Sequence, residues 1–154
     1  MMTTTTTTTT IADLMTREPT TIGPYDTVLR AAQLMDALNV GALPVCHGSR
    51  LVGIVTDRDI TVRATAAGLN AASTEIDMVM SGPVRSCLQE HSAEDVLRQM
   101  AAVQIRRMPV LDRFDRLVGI ISLGDIAARH PEGVEQALQL ISTPAEPDRA
   151  ALAA

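Results

Sequence analysis

The sequence has no lysine and no tryptophan, and its 154 residues include one tyrosine and one phenylalanine. Without lysine there is no Schiff-base chemistry. The two aromatics, Tyr25 and Phe114, leave little for stacking on single-stranded bases. A net charge of −5 without a basic stripe argues against a nucleic-acid partner. No apolar run approaches the roughly 18 residues of a membrane span, and the N-terminus lacks a charged segment followed by an apolar one. The expectation is a soluble, cytoplasmic protein with no membrane partner. Two cysteines, Cys46 and Cys87, make no disulfide framework and are read as buried, reduced thiols. The P-loop, G-x-S-x-G, H-E-x-x-H and G-x-G-x-x-G motifs are all missing, and Asp57 and Asp59 have no evident nucleophile or base to complete a site, so no enzyme is expected. Cys46-His47 taken with His91 or His130 follows no usual ligand spacing, so no metal site is expected either.

What the chain does contain is a repetition. Leu51 to Ile60 reads LVGIVTDRDI and Leu117 to Ile126 reads LVGIISLGDI, an offset of 66. Further back the offset is 65: Leu43-Pro44-Val45 matches Met108-Pro109-Val110, Met35 matches Met100, and Leu14-Met15-Thr16 matches Val79-Met80-Ser81. One extra residue before Leu117 accounts for the change. A repeated phrase of this length means one supersecondary unit used twice. Each unit is about 60 residues, a size at which burial is marginal, so the halves are expected to need each other.

Thr3 to Thr10 are eight consecutive threonines without hydrophobic periodicity, and residues 1–10 are read as a poorly ordered tail. Residues 11–72 form the first repeat and 73–130 the second; 131–154 hold a last helix, from Glu132 to Ile141, and a loose end carrying Pro144 and Pro147. Each repeat opens with a short extended piece (Thr20 to Ile22; Arg85 to Leu88) and a hydroxyl residue, Thr27 or Ser92, placed to cap a helix. The apolar positions 28, 31, 32, 35 and 38, and again 93, 96, 97, 100 and 103, follow a helical stripe. Two short apolar runs then read as a hairpin: Leu43 to Cys46 with Leu51 to Val55, and Met108 to Leu111 with Leu117 to Ile121. A second helix starts at Asp57 or Leu123. The fold class is α/β (α+β), two β-α-β-β-α repeats related by a pseudo-twofold axis. Met15, Met35, Met80 and Met100 recur at matched positions and are read as core filler.

The strand-to-helix junctions share the form G-h-h-[ST]-x-x-D-h, where h is apolar: Gly53 to Ile60 and Gly119 to Ile126. One explanation is an aspartate version of a capping box, with Thr56 or Ser122 satisfying an orphan N–H. The other uses the same geometry for a ligand, because a helix N-terminus offers N–H groups to a phosphate and a carboxylate one turn in accepts both hydroxyls of a ribose. Capping alone does not require the preceding glycine and apolar pair, and the longer phrase occurs twice.

With each phrase preceded by h-P-V and each repeat opened by an acid-to-Met segment (Asp13-Leu14-Met15; Asp77-Met78-Val79-Met80), the sequence resembles a pair of cystathionine-β-synthase (CBS) domains, a Bateman module, over about Ile11 to His130. Thr56 through Leu69 and Arg129-His130-Pro131-Glu132 are similar to stand-alone actinobacterial members of the hypoxic response type. The resemblance implies two clefts between the repeats for an adenosine-containing ligand such as AMP, ADP, ATP, NAD or S-adenosylmethionine, none of them obligatory. It implies ribose contacts from Asp59 and Asp125, with Thr56 and Ser122 as hydroxyl partners. Adenine is then expected against Thr21, Ile22, Ala42 and Pro44, or against Ser86, Cys87, Met108 and Pro109. Arg106-Arg107, where the first repeat has Gly41-Ala42, and Arg58 are the expected phosphate cations, so the clefts should be unequal. The implied function is a regulatory module that signals by population shift to an unidentified protein partner, as a homodimer. The alternative is a ligand-free, dimeric scaffold with vestigial clefts, in which the repeated phrase does nothing but cap.

Overall fold

The computed structural model describes residues 8–82, 84–130 and 132–142. The chain opens with a short helix α1 (Ile11–Leu14) and a two-residue strand β1 (Thr16–Arg17). Helix α2 (Val28–Leu38) leads to the hairpin of β2 (Ala42–His47) and β3 (Arg50–Thr56). Helix α3 (Asp57–Asp59) leaves β3 directly and widens into a π-helical turn over Ile60–Thr65. After a 3₁₀ turn at Ile76–Met78 come β4 (Cys87–Leu88), α4 (Ala93–Val103), β5 (Arg107–Leu111), β6 (Leu117–Ser122), α5 (Leu123–Arg129) and α6 (Val134–Ser142). The architecture is the expected α/β pair of repeats, and α6 begins two residues later than the spacing predicts.

The local physics is duplicated with the sequence. The Thr27 hydroxyl accepts from the Arg30 N–H and the Ser92 hydroxyl from the Asp95 N–H, so α2 and α4 start on equivalent caps. Both helices stop at a residue in the left-handed region, Asn39 (φ 53°) and Gln104 (φ 58°). The two hairpins pair Val45 with Gly53 and Val110 with Gly119, and each ladder slips one residue later. A bulge at the same point in both copies gives both hairpins the same added twist.

The opening segments do not stay with their own repeats. Strand β1 pairs antiparallel with β6, giving a four-stranded sheet in the order β1-β6-β5-β4. Ile11, Leu14 and Met15 are buried with Val96, Met100, Met108, Val110, Ile121 and Ile126 of the second repeat. The reciprocal contact is made by Ile76 and Val79, buried among Val28, Met35, Leu43, Val45 and Val55 of the first, while Ser81 exchanges both backbone hydrogen bonds with Ile54. Each core therefore borrows a segment from the other repeat. Arginines fix the exchange: Arg63 donates to the carbonyls of Val79 and Met80, and Arg129, at an offset of 66, donates to that of Asp13.

This exchange explains why the repeated phrase begins with glycine. A Cβ on Gly53 would lie 2.7 Å from the Met80 Sδ and 3.0 Å from the Ser81 carbonyl oxygen; on Gly119 it would lie 2.6 Å from the Met15 Sδ and 2.8 Å from the Thr16 oxygen. The cores contain no aromatic ring: Tyr25 and Phe114 are 67% and 63% exposed, while Met15, Met35 and Met100 are buried. Flexible thioethers fill the gaps between branched aliphatics. The C-terminal helix α6 covers α4 and α5 through Ala137 against Leu97 and Leu123.

One expectation about the ends changes. Thr9 and Thr10, assigned to the tail, are held: the Thr9 carbonyl accepts from the Ala93 N–H, and Thr10 pairs with Ser92 and caps α1. The start of α4 needs acceptors for its free N–H groups, and this stretch of backbone supplies one. Residues 1–7 and 143–154 lie outside the described residues. Among the described residues no helix is long and apolar enough to cross a membrane.

In the second hairpin turn Asp112 accepts from the Arg116 and Phe114 backbone N–H groups and from the Arg116 guanidinium. These hydrogen bonds, the Arg116 backbone N–H first, hold its carboxyl below the ordinary aspartate value. A depressed folded-state value means that the turn's contribution to stability is complete above the unfolded aspartate value and is lost as pH falls through the folded one. Urea midpoints measured downward from pH 5 should fall more steeply for the parent than for Asp112→Asn; parallel profiles would contradict the assignment. Gly119→Ala should lower stability by about 1–3 kcal/mol, because the backbone oxygen of Thr16 cannot rotate away from the new methyl group. Chemical denaturation checks this, and an unchanged midpoint would show that the exchanged strand is not seated as described.

Candidate functional site

The junctions after β3 and β6 carry the repeated phrase in full. Thr56 Oγ1 accepts from the Asp59 N–H at 3.0 Å, while Asp59 Oδ2 accepts from the Thr56 N–H at 3.0 Å. Ser122 and Asp125 make the same reciprocal pair at 3.0 and 2.9 Å. Each cap is tied to the residue preceding its own h-P-V strand: the Asp57 N–H donates to the Gly41 carbonyl and the Leu123 N–H to that of Arg106. Capping uses Oδ2 of each aspartate and leaves Oδ1 for other partners; in Asp59 that oxygen lies 3.9 Å from Arg63 Nε. The capping and ligand explanations are thus compatible within one side chain.

Two cavities of 330 Å³ each flank the seam between the repeats. Cleft 1 is lined by Thr16, Glu18, Pro19 and Thr20, by Leu38 and Val40, by Ala42, Leu43 and Pro44, and by Ile120 and Arg107 from the second repeat. Cleft 2 is lined by Ser81, Val84 and Arg85, by Ile105, Arg106, Arg107 and Pro109, and by Ile54 and Thr56 from the first. Each cleft takes its h-P-V wall from one repeat and the strand leading to a cap from the other. Thr56 lies two residues beyond Ile54 on the same strand face, and Ser122 stands in the same relation to Ile120. The crossing follows from the packing of the two hairpins around the pseudo-twofold axis. On that axis the matched residues Ala42 and Arg107 border both clefts.

The residues expected to line the clefts separate into groups. Ala42, Pro44, Thr56, Arg106, Arg107 and Pro109 are brought to the walls. Asp59, Ser122 and Asp125 sit half-buried at the junctions and line neither cleft. Ile22, Cys87 and Met108 turn into the cores, because each lies in or pairs with a sheet whose inner face is apolar. Burial pushes the Cys87 thiol up to about 11, so it stays protonated at neutral pH. Ser86 faces a separate 480 Å³ cavity with His47, Arg50 and Asp115, and neither Thr21 nor Arg58, both exposed, lines a cleft. The first-strand contacts are instead Thr20 and Glu18 in cleft 1 and Val84 and Arg85 in cleft 2. Glu18 and Thr20 follow β1, Val84 and Arg85 precede β4, and all four lie outside the sheets, so alternation does not find them. The charge difference between the matched Thr20 and Arg85 was nonetheless visible in sequence.

The position matched to Arg106 lies beside an acid in the first repeat. A Cβ on Gly41 would come within 3.2 Å of the Asp57 carboxylate, whereas Arg106 faces the corresponding helix start at Leu123. A 620 Å³ groove between α4 and α6, lined by Leu97, Ala101, Ala137 and Leu140 among others, is larger than either cleft but receives nothing from the repeated phrases. Among the described residues no group of three or more His, Cys, Asp or Glu side chains is placed to hold a metal ion.

The CBS domain family model matches residues 11–64 and 74–132. CBS domain-containing protein YhcV of Bacillus subtilis is 44% identical over 117 residues, covering 76% of this chain and 82% of the relative. Hypoxic response protein 1 of Mycobacterium tuberculosis is 36% identical over 137 residues, covering 88% of this chain and 95% of the relative. A crystal structure of Hypoxic Response Protein I with two coordinated zinc ions superposes with a TM-score of 0.73 at 36% identity, over 80% of this chain and all of that one. Two further solved neighbours contain adenosyl ligands. CBSX2 in complex with AMP has a TM-score of 0.69 at 25% identity, covering 86% of this chain and 98% of that one. The CBS domain pair of protein MJ0100, in complex with 5′-methylthioadenosine and S-adenosyl-L-methionine, has a TM-score of 0.69 at 27% identity, covering 78% and 98%.

Because each hydroxyl satisfies a helix N–H, Thr56→Ala and Ser122→Ala should each cost about 1 kcal/mol. Equilibrium denaturation checks this, and a loss of less than a few tenths in both would mean that these residues do not cap.

Proposed function

The chain belongs to the CBS-domain family and carries two copies of the domain, and from that premise we propose that it is a regulatory module, not an enzyme, that binds an adenosine-containing ligand between its repeats. The observation that carries this reading is the pairing, on both sides of the seam, of an h-P-V wall from one repeat with the strand that leads to a hydroxyl-aspartate cap in the other. The cap holds its carboxylate in place before any ligand arrives, and an ordered carboxylate accepts two ribose hydroxyls without a further entropy cost for arranging it. The wall offers apolar contact and backbone groups to a flat base. The adenosyl ligands of the CBSX2 and MJ0100 neighbours support the same ligand class.

Signalling follows from the exchange of opening segments. Ser81 lines cleft 2, and the backbone just before it is held by Arg63, so a ligand in that cleft touches a segment belonging to one repeat in sequence and to the other in packing. A ligand that fits one arrangement of the repeats better than another shifts the population toward it and changes the surface that a partner protein meets. Action as a homodimer and a role in stress or energy sensing are parts of the same proposal; the stress role draws on the similarity to hypoxic response protein 1.

Thermal melting against millimolar AMP, ADP, ATP, NAD and S-adenosylmethionine tests the ligand. A ligand at 100 times its Kd stabilises by about 2.7 kcal/mol, a readily visible shift in Tm. The shift should shrink in Asp59→Ala and in Asp125→Ala and vanish in the double variant. Stabilisation that survives the double variant would remove the ribose assignment. No stabilisation by any of the five would leave the repeated phrases as caps in a ligand-free scaffold.

A further inference from the structure

The two clefts share a shape but not a charge. At matched positions 65 residues apart, the first repeat has Thr20, Gly41 and Ala42 where the second has Arg85, Arg106 and Arg107. All three arginines line cleft 2, together with no carboxylate. They are exposed, and among the described residues none of them forms an ion pair with an acid. Cleft 1 has one cation, Arg107, which it shares with cleft 2, and one carboxylate, Glu18. Glu18 is fixed by its backbone, which lies in the left-handed region at φ 49° with its N–H donating to the Val118 carbonyl at 3.3 Å.

We propose that Glu18 and Arg85 sort adenosyl ligands by charge, so that cleft 2 takes a phosphorylated nucleoside and cleft 1 an adenosyl group without phosphate. The inference rests on reading the clefts as adenosyl sites and adds what each one selects. A phosphate chain entering cleft 2 meets Arg85 and Arg107, with Arg106, whose guanidinium donates to the Ser142 hydroxyl, beside them; none is in an ion pair among the described residues, and a guanidinium forms charge-assisted hydrogen bonds to phosphate. A phosphate entering cleft 1 meets a carboxylate, and its one available guanidinium lies on the axis between the clefts, already committed when cleft 2 is filled. An uncharged or sulfonium-bearing adenosyl group meets no such repulsion and keeps the apolar wall of Pro19, Leu38, Val40 and Pro44. Specificity arises here by placing a like charge against the wrong ligand as much as by attracting the right one.

Isothermal titration of the full chain with ATP and with 5′-methylthioadenosine tests the sorting. The parent should bind one ATP per chain, with an affinity that falls at least tenfold in Arg85→Gln and falls again as salt is raised from about 50 to 300 mM, where screening weakens exposed charge pairs. The ATP-saturated chain should still take up 5′-methylthioadenosine, with an affinity that neither Arg85→Gln nor salt changes. Glu18→Gln combined with Thr20→Arg, which removes the carboxylate of cleft 1 and gives it the counterpart of Arg85 at two exposed positions, should raise ATP stoichiometry above one. Two ATP per chain in the parent would overturn the proposal. So would an ATP affinity indifferent to Arg85→Gln, a stoichiometry of one in the double variant with an unchanged Tm, or 5′-methylthioadenosine excluded by ATP. If neither compound binds the parent at all, the adenosyl reading of the clefts fails, and charge sorting fails with it.

Discussion

The close approach of a methionine to a glycine, made twice, is the constraint on which the rest of the structure depends. Met15 crosses Gly119 and Met80 crosses Gly53, each bringing a segment from one repeat onto a strand of the other at a separation that no side chain could share. The sulfur adapts to the surface left by the missing Cβ, and the following residue, Thr16 or Ser81, continues as sheet or bridge. A repeat of about 60 residues has a marginal core by itself. Exchanging segments gives each half buried residues it lacks and makes the two halves one folding unit. The seam on which the clefts lie is therefore a consequence of packing.

The caps at the two strand ends use one carboxylate oxygen for structure and leave the other for the ligand proposed above. A hydroxyl and a carboxylate three residues apart satisfy two orphan donors at each helix start, and the aspartate is ordered as a result. A carboxylate with one oxygen held and the other available is a preorganised acceptor. Where the repeats diverge, they diverge around this conserved geometry: Gly41 gives Asp57 room in the first repeat, and Arg106 occupies the same backbone position in the second. Duplication preserved the frame and left the charge of the walls free to change.

Much of the fold was legible because periodicity and capping are local. The two helical stripes, the two hairpins, the helix starts at Asp57 and Leu123 and the aliphatic, methionine-filled cores follow from residue spacing and from the offset between the copies. Of the site, the caps and the h-P-V walls were legible, since their signature lies within eight consecutive residues. The first-strand contacts were misplaced by one or two positions. Ile22 and Cys87 look like cleft residues by proximity to the motif, but strand pairing turns them inward, and the residues just before them, Thr20 and Arg85, form the wall. Thr9 and Thr10 carry no periodic signal because what holds them is a hydrogen bond to a helix start more than 80 residues away.

The sequence by itself determined that one β-α-β-β-α unit is used twice, that each copy ends its hairpin in a capped helix, and that the second copy has Arg106-Arg107 where the first has Gly41-Ala42. These are properties of neighbouring residues and of comparison between copies. Tertiary structure decided which wall faces which cap, that the opening segments change places, and that Ala42 and Arg107 share an axis bordering both clefts. Nothing local encodes those relations, because they arise only when two hairpins pack around a twofold axis and each strand's partner is fixed by burial on the opposite side of the molecule.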